Sequence, residues 1–308
     1  MIPNKHKNRI IVWDLFGGGQ NSIWKSLKNE KQYEIYTFDI TNPTRKLHFK
    51  QDLASDNIEE KFEKYPKPDI IVASPLCQSF SSVLSMKGGG TCFWKIKDEK
   101  LIFRTKKEFE QLKAGFTRFF KADTQKFIAE LGKKCIDNTM KLIDFYKPKF
   151  WYIENPKTSL MWKYIKLNCK KWLKNDYHFN VTSYGKYGFL IRKDTIFLSN
   201  IKMNLQYGKT TPPYHIEYEQ IEEKDFKNKF CIKKNSQCFR KWYVQNGHSF
   251  KEGKKYATLF PKDAGLGVLQ KKDNRYQKNK ISNEQICESG SVSSIPSPLI
   301  KDIFKHFK

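Results

Sequence analysis

No stretch of this 308-residue chain approaches the roughly 18 consecutive apolar residues that a bilayer-spanning helix requires, so no membrane partner is expected. The apolar run Ile10–Phe16 is broken by Asp14 and is too short for a secretion signal. Cysteine is sparse: seven residues, an odd number without regular spacing, which argues against a disulfide scaffold and for a reducing, cytoplasmic setting. Tight Cys-x-x-Cys pairs are missing. Cys231, Cys238 and His248 lack metal-site spacing, and no metal is expected. No His lies near Cys77 or Glu154 in sequence, which disfavours a cysteine hydrolase. Internal repeats are absent.

Acidic residues are also in short supply: 32 against 58 Lys and Arg, a formal charge of +26. Such an imbalance favours an anionic partner, nucleic acid first. Lys far outnumbers Arg, and Lys, Asn, Ile and Phe are all abundant. A coding sequence poor in G and C would give the same bias, so the charge supports nucleic acid without identifying it.

The length suits one large domain and a smaller one. From Ile10 to about Pro75, strand-like and helix-like stretches alternate: Ile10–Trp13, Ile35–Phe38 and Ile70–Ala73 as strands, Asn21–Leu27 and Ile58–Lys64 as helices. That rhythm predicts a parallel sheet. Ser82 to about Thr105 reads as a long polar loop around Gly88-Gly89-Gly90. A long helix follows, with Phe127, Ile128, Leu131, Cys135, Ile136, Met140 and Ile143 on one face, and it ends at Pro148. A helix over Leu160–Leu173 and strands near Phe179–Ser183 and Thr195–Leu198 complete this part. Between about Ile201 and Asn283 periodicity weakens while Lys and aromatic residues interleave. The C-terminus recovers a helix from Pro298, with Leu299, Ile300, Ile303, Phe304 and Phe307 on one side.

Three short segments carry chemistry, each ending a strand-like run: Asp14-Leu15-Phe16-Gly17-Gly18-Gly19, Pro75-Leu76-Cys77-Gln78-Ser79-Phe80-Ser81, and Glu154-Asn155-Pro156. Strand ends in a parallel sheet converge on one edge, where open α/β sheets bind ligands. Glycines after a strand let backbone approach a ligand closely. Asp39, 25 residues after Asp14, sits where an acid commonly holds ribose hydroxyls, and Asp52 could receive an adenine amino group. A strand-end cysteine is by default a small buried hydrophobe. Here the polar run after Cys77 argues instead for an accessible thiol. A carboxyl such as Glu154, held after an aromatic strand, can share or donate a proton. Together they suit attack of a thiolate on an electron-poor ring while the carboxyl stabilises charge on a ring nitrogen.

In order and wording these segments resemble the DNA cytosine-5 methyltransferase family, in its phage-type form. The resemblance covers roughly residues 10–200 and 288–308. It implies a doubly wound, Rossmann-like α/β methyltransferase sheet with a second, smaller, irregular target-recognition domain: 1–200 plus 285–308 for catalysis and cofactor, 201–284 for recognition. It also implies S-adenosylmethionine as cofactor, transfer of its methyl group to C5 of cytosine in double-stranded DNA, and a base flipped out of the duplex. Cys77 would attack C6, and Glu154 would engage N3. Asp14, Phe16, Gly17, Gly19, Asp39, Ile40, Asp52, Leu53, Pro75, Ser291 and Val292 would line the cofactor. Gln78, Ser81 and Asn155 would meet the substrate.

Tyr187-Gly188-Phe189-Leu190-Ile191-Arg192-Lys193-Asp194-Thr195 resembles the family's base- and phosphate-contacting segment, so Arg192 or Lys193 is implied at the cytosine. Gly290-Ser291-Val292 to Leu299 resembles its closing motif. Phe239-Arg240-Lys241-Trp242-Tyr243 mixes cations with aromatics, and Arg240 and Lys241 are expected at phosphates. The chain departs from the family at Leu76, where Pro is usual, at Pro156 in place of Val, and at Ser291 in place of Asn. A monomer is expected, with restriction-modification or phage-defence associations and a cognate restriction endonuclease as partner. The alternatives are the same reaction on RNA, and an inactive DNA-binding relative.

Overall fold

The computed structural model describes residues 9–81, 93–112, 121–170, 177–187, 193–208 and 294–307, with the backbone of 215–217 and 256–258. It divides into two compact units. One comprises Met1–Val181, Thr195–Asn204 and Ile303–Lys308; the other comprises Thr182–Asp194 and Leu205–Asp302.

In chain order the elements are β1 (Ile10–Leu15), α1 (Ser22–Leu27), β2 (Tyr33–Asp39), β3 (His48–Lys50), α2 (Ile58–Phe62) and β4 (Ile70–Ala73). A short 3-10 turn over Cys77–Phe80 leads to β5 (Trp94–Lys97), β6 (Lys100–Phe103) and α3 (Lys106–Glu110). Then come α4 (Ala122–Tyr146), β7 (Phe150–Pro156), α5 (Met161–Asn168), β8 (His178–Ser183), β9 (Asp194–Ser199), β10 (His215–Glu217), β11 (Tyr256–Thr258) and α6 (Ser297–Lys305).

Seven strands form one sheet in the order β3-β2-β1-β4-β7-β9-β8. The first five run parallel, and β9 pairs antiparallel with β7. The architecture is α/β and doubly wound. From β1 the chain steps outward to β2 and β3, then returns to place β4 and β7 on the other side, so the order reverses between β1 and β4. Such a reversal opens a crevice at the carboxyl ends of the two strands.

Alternation along the strands sends Trp13, Leu15, Phe38, Ile71, Ala73 and Ile153 to one face, where they join Ile58 and Phe62 of α2, Ile136 and Met140 of α4, and Ile165 of α5 in one core. Trp13 anchors it, with ring centres 5.5 Å from Phe38, 5.0 Å from Phe62 and 4.7 Å from Tyr146. The run Ile70–Ala73 is buried throughout, as a central parallel strand covered on both faces requires. On the opposite face Phe304 of α6 meets Tyr33 at 5.3 Å and Phe150 at 6.5 Å.

Three expectations change. The stretch expected as a long polar loop contains the β5–β6 hairpin, and α3 follows directly after it. Its turn residues, Asp98 and Glu99, both take positive φ (49° and 55°) without the Asn-Gly or Asp-Gly pair that would announce such a turn. Helix α4 buries Cys135, Ile136, Met140 and Ile143, but Phe127 is 63% exposed. Its first turns bury the small residues Ala122, Ala129 and Gly132 instead. Helix α5 ends at Asn168, five residues short of the expected Leu173, with Cys169 following it. In the region 201–284, the described residues beyond Gly208 are the two strands of an antiparallel ribbon, β10 and β11.

In the second unit, Tyr187 donates its hydroxyl hydrogen to Asp302 at 2.7 Å and accepts from the Gln206 backbone N–H at 2.9 Å. Burial, with the Asp302 carboxylate alongside, pushes the Tyr187 hydroxyl up to about 12.

Candidate active site

Strand register fixes the site before any side chain is considered. Leu15 lies opposite Phe38 on one side and Ala73 on the other, and Ala73 lies opposite Ile153. One residue further on, Asp39 ends β2, Phe16 and Ser74 follow β1 and β4, and Glu154 lies within β7, all at one level. The Phe16 N–H bonded to the Phe38 carbonyl at 2.8 Å, and the Ser74 N–H bonded to the Leu15 carbonyl at 3.2 Å, extend that level past the strand ends.

Cys77 opens the 3-10 turn and is exposed, as are Leu76 and Gln78 beside it. One step further out on each side, Pro75, Ser79 and Phe80 are buried and held. Asn155 donates its side-chain amide to the Pro75 carbonyl at 2.9 Å, which ties the glutamate segment directly to the cysteine segment. Ser79 donates its hydroxyl to the Ile128 carbonyl of α4 at 2.7 Å. Trp94 of β5 donates its indole N–H to the Ser79 carbonyl at 2.8 Å, and the Leu160 N–H bonds the Phe80 carbonyl at 2.9 Å. Gly132 lets α4 come close: a Cβ there would overlap the Ser79 side chain. The thiol is thus exposed at the head of a turn whose later residues are tied to α4, β5 and the segment before α5.

Glu154 is 5% exposed, deep in β7, with Phe197 of β9 opposite it in the ladder. Asn155 has a buried side-chain oxygen that meets no hydrogen-bond donor among the described residues. Two residues before Glu154, Tyr152 is fully buried, and its hydroxyl has no partner among the described residues. Burial pushes that hydroxyl well up, and the charges of Asp14 and Glu154 push it further.

The glycine turn follows β1 with Phe16 in the left-handed region at φ 67°. A Cβ at Gly17 would overlap the Asp14 carboxylate, and one at Gly18 would overlap Asp39. At Gly19 a Cβ would meet nothing within 4 Å. Asp39 accepts the Gly18 N–H at 3.2 Å and the Thr41 N–H at 2.9 Å, one on each oxygen, so its carboxylate is fixed while each oxygen keeps a lone pair. Ile40 beside it is 67% exposed. Asp52 is exposed and accepts the Ala54 N–H at 2.9 Å; Leu53 is buried, its carbonyl held by Asn138 of α4 at 2.9 Å.

Asp14 differs from these acids. Burial pushes its carboxyl up to about 7, repulsion from Asp39 adds to the rise, and the Arg45 guanidinium and the Thr37 hydroxyl oppose it. Thr37 donates to Asp14 at 3.3 Å, and Arg45 donates to Thr37 and, at 3.0 Å, to the Ile35 carbonyl.

Asp14, Phe16, Gly17, Gly19, Asp39, Ile40, Asp52, Leu53, Pro75, Cys77, Gln78, Ser81, Glu154 and Asn155 all belong to the first unit. Lys193 belongs to the second unit, its ammonium 4.5 Å from the centre of the Tyr184 ring. Arg192, Arg240, Lys241, Ser291 and Val292 lie outside the described residues. Sequence reasoning missed Trp94, Gly132 and Ser79 as supports of the cysteine turn. The sequence carried a signal for the nearby α3: Thr105-Lys106-Lys107-Glu108 forms a capping box, each side chain bonded to the other residue's backbone N–H. Nothing local marks Trp94 or Gly132, because their partners lie 15 and 53 residues away in sequence.

No protein-family model and no curated protein matches the chain. Among solved structures it resembles the Schizosaccharomyces pombe Dnmt2 methyltransferase at 16% identity and a TM-score of 0.36, over 66% of this chain. The chain spans 52% of that protein's length. It also resembles the Entamoeba histolytica methyltransferase EhMeth (14%, TM-score 0.44, 97% of this chain and 99% of that one). A third likeness is to a Spodoptera frugiperda DNMT2 mutant (13%, TM-score 0.43, 97% and 100%). Among the described residues no helix is long and apolar enough to cross a membrane, and no cluster of His, Cys, Asp or Glu could hold a metal ion.

Proposed function

We propose that this chain transfers a methyl group from S-adenosylmethionine to C5 of cytosine in double-stranded DNA. The observation that carries the proposal is the Asn155–Pro75 hydrogen bond, which ties the segment of the buried Glu154 to the segment of the exposed Cys77.

The donor set of the crevice suits that cofactor. Asp39, oriented by two backbone N–H groups, has lone pairs left for ribose hydroxyls. Exposed Ile40 offers an apolar surface to an adenine ring, and Asp52 a carboxylate to its amino group. Gly17 and Gly18 keep the turn pressed against Asp14 and Asp39, and Gly19 leaves it open outward. When bound, S-adenosylmethionine supplies an electrophilic methyl group.

Cys77 as thiolate adds to C6 of a base flipped out of the duplex. Glu154 holds the proton shared with N3, so the charge driven into the ring is neutralised and C5 becomes nucleophilic. After C5 is methylated, loss of its proton to solvent and departure of Cys77 restore the ring. The second unit, with its basic and aromatic sequence, supplies target recognition in this reading, and Arg192 or Lys193 meets the base.

Labelled methyl transfer to mixed-sequence duplex DNA, with the product nucleoside identified by mass, tests the reading. 5-Methylcytosine from wild type and none from Cys77→Ala is the expected result. Label in structured RNA alone would move the substrate to RNA. No transfer to either, together with tight DNA binding and no covalent adduct on 5-fluorocytosine DNA, would make the chain an inactive DNA-binding relative.

A further inference from the structure

We infer that Trp94, carried by the β5–β6 hairpin, is a positioning residue for Cys77, gripping the cysteine turn by its indole N–H and its ring together. The catalytic part of this inference rests on the methyl-transfer reading; the structural part does not.

The turn Cys77–Phe80 is only four residues long. Bonds from outside it hold its last two residues. Trp94 is 3% exposed and donates its N–H to the buried Ser79 carbonyl at 2.8 Å. Its ring stacks on the next residue, Phe80, at 5.1 Å and 17°. A buried carbonyl deprived of its donor is costly, so this bond holds Ser79, two residues from the thiol, more firmly than packing alone would. Trp13 gives the contrast: it too is buried, yet its N–H has no acceptor among the described residues, so it acts through packing.

The hairpin is built to keep Trp94 in place. The side-chain amide of Asn168 on α5 both accepts the Leu101 N–H and donates to the Leu101 carbonyl, each at 3.1 Å. Lys95, next to Trp94, is paired with Glu108 of α3. Outward, the hairpin ends in exposed residues, with Ile96 half-exposed and the Asp98-Glu99 turn in solvent. Buried contacts therefore concentrate on Trp94 and Leu101, the gripping residue and its fastening. The fixed path runs from α5 through Asn168, β6 and β5 to Ser79 and Cys77.

The test compares Trp94→Phe, which removes the N–H and keeps an aromatic ring, with Phe103→Leu, which alters a ring 4.5 Å from Trp94 and keeps the N–H. Hydrogen exchange of the peptide covering residues 77–81 is followed in the full chain, with kcat and KM for methyl transfer. Trp94→Phe should speed exchange in that peptide about tenfold, the loss of one hydrogen bond. It should also lower kcat about tenfold while KM for S-adenosylmethionine stays within about twofold, since Trp94 holds Ser79 and Phe80, which are not among the residues expected at the cofactor. Phe103→Leu should leave both at wild-type values.

Unchanged exchange over 77–81 in Trp94→Phe, or an equal rise in Phe103→Leu, would overturn the inference. If Trp94→Phe does not fold, Asn168→Ala, which frees the hairpin from α5, should raise exchange in the same peptide, and no rise there would equally overturn it. Should the chain methylate neither DNA nor RNA, the exchange readout still decides the structural claim, so the two failures separate.

Discussion

Cys77 and Glu154 differ in exposure as the roles proposed for them require: the thiol is exposed at the head of a clamped turn, and the carboxyl lies inside the sheet. Cys77→Ala should abolish methyl transfer while leaving DNA affinity unchanged, measured by label incorporation and by a binding titration. Glu154→Gln should slow transfer by about 10²–10⁴-fold, the usual contribution of acid–base help. Asp14 lends itself to a pH experiment. Its folded carboxyl is held up to about 7, while in the unfolded chain it ionises as an ordinary aspartate. Between roughly pH 4 and 7 the folded state therefore keeps a proton that the unfolded state has released, and stability falls as pH rises through that window. In Asp14→Asn the fall should flatten. The variant should gain on wild type by on the order of 3–4 kcal/mol between the ends of the window, read from urea titrations at pH 4 and pH 8.

Helix α4 serves two parts of the site at once. Asn138 holds the Leu53 and Ser55 carbonyls at 2.9 and 2.8 Å beneath the Asp52 loop, while Ile128 and Gly132 support the cysteine turn. Gly132→Ala would force helix and turn apart at Ser79, a change expected to cost about 1–3 kcal/mol and to lower transfer without altering affinity for S-adenosylmethionine. Thermal unfolding and steady-state kinetics would check the pair of effects. The parallel strands were legible because buried apolar runs such as Ile70–Ala73 have one reading when they alternate with helical stretches. The cysteine, glutamate and glycine-turn residues were legible for the same reason, each standing at the end of such a run. The hairpin was not, because its turn uses Asp and Glu where left-handed residues are usually Asn or Gly, and its buried Trp94 is met by a residue distant in sequence. Phe127 misled for a related reason: apolar spacing marks a stripe along a helix, but at the first turns of α4 close approach at Gly132 decides which side faces inward.

Across the whole molecule the charge of +26 bears on binding. If the chain engages duplex phosphates, its affinity should fall steeply and linearly on a log–log plot against salt, with a slope near −0.9 per neutralised phosphate. A flat response in a fluorescence titration from about 50 to 200 mM salt would count against a phosphate-lined channel. One further consequence follows from Phe304, whose ring rests on Tyr33 and Phe150. A ribosome making this chain delivers Phe150 roughly 150 residues before Phe304, about 8–30 s earlier at usual elongation speeds. Throughout that interval Tyr33 and Phe150 wait without the ring that packs on them, while the polypeptide of the second unit is still being laid down. The first unit, begun first, thus gains this contact only after most of the second has been made.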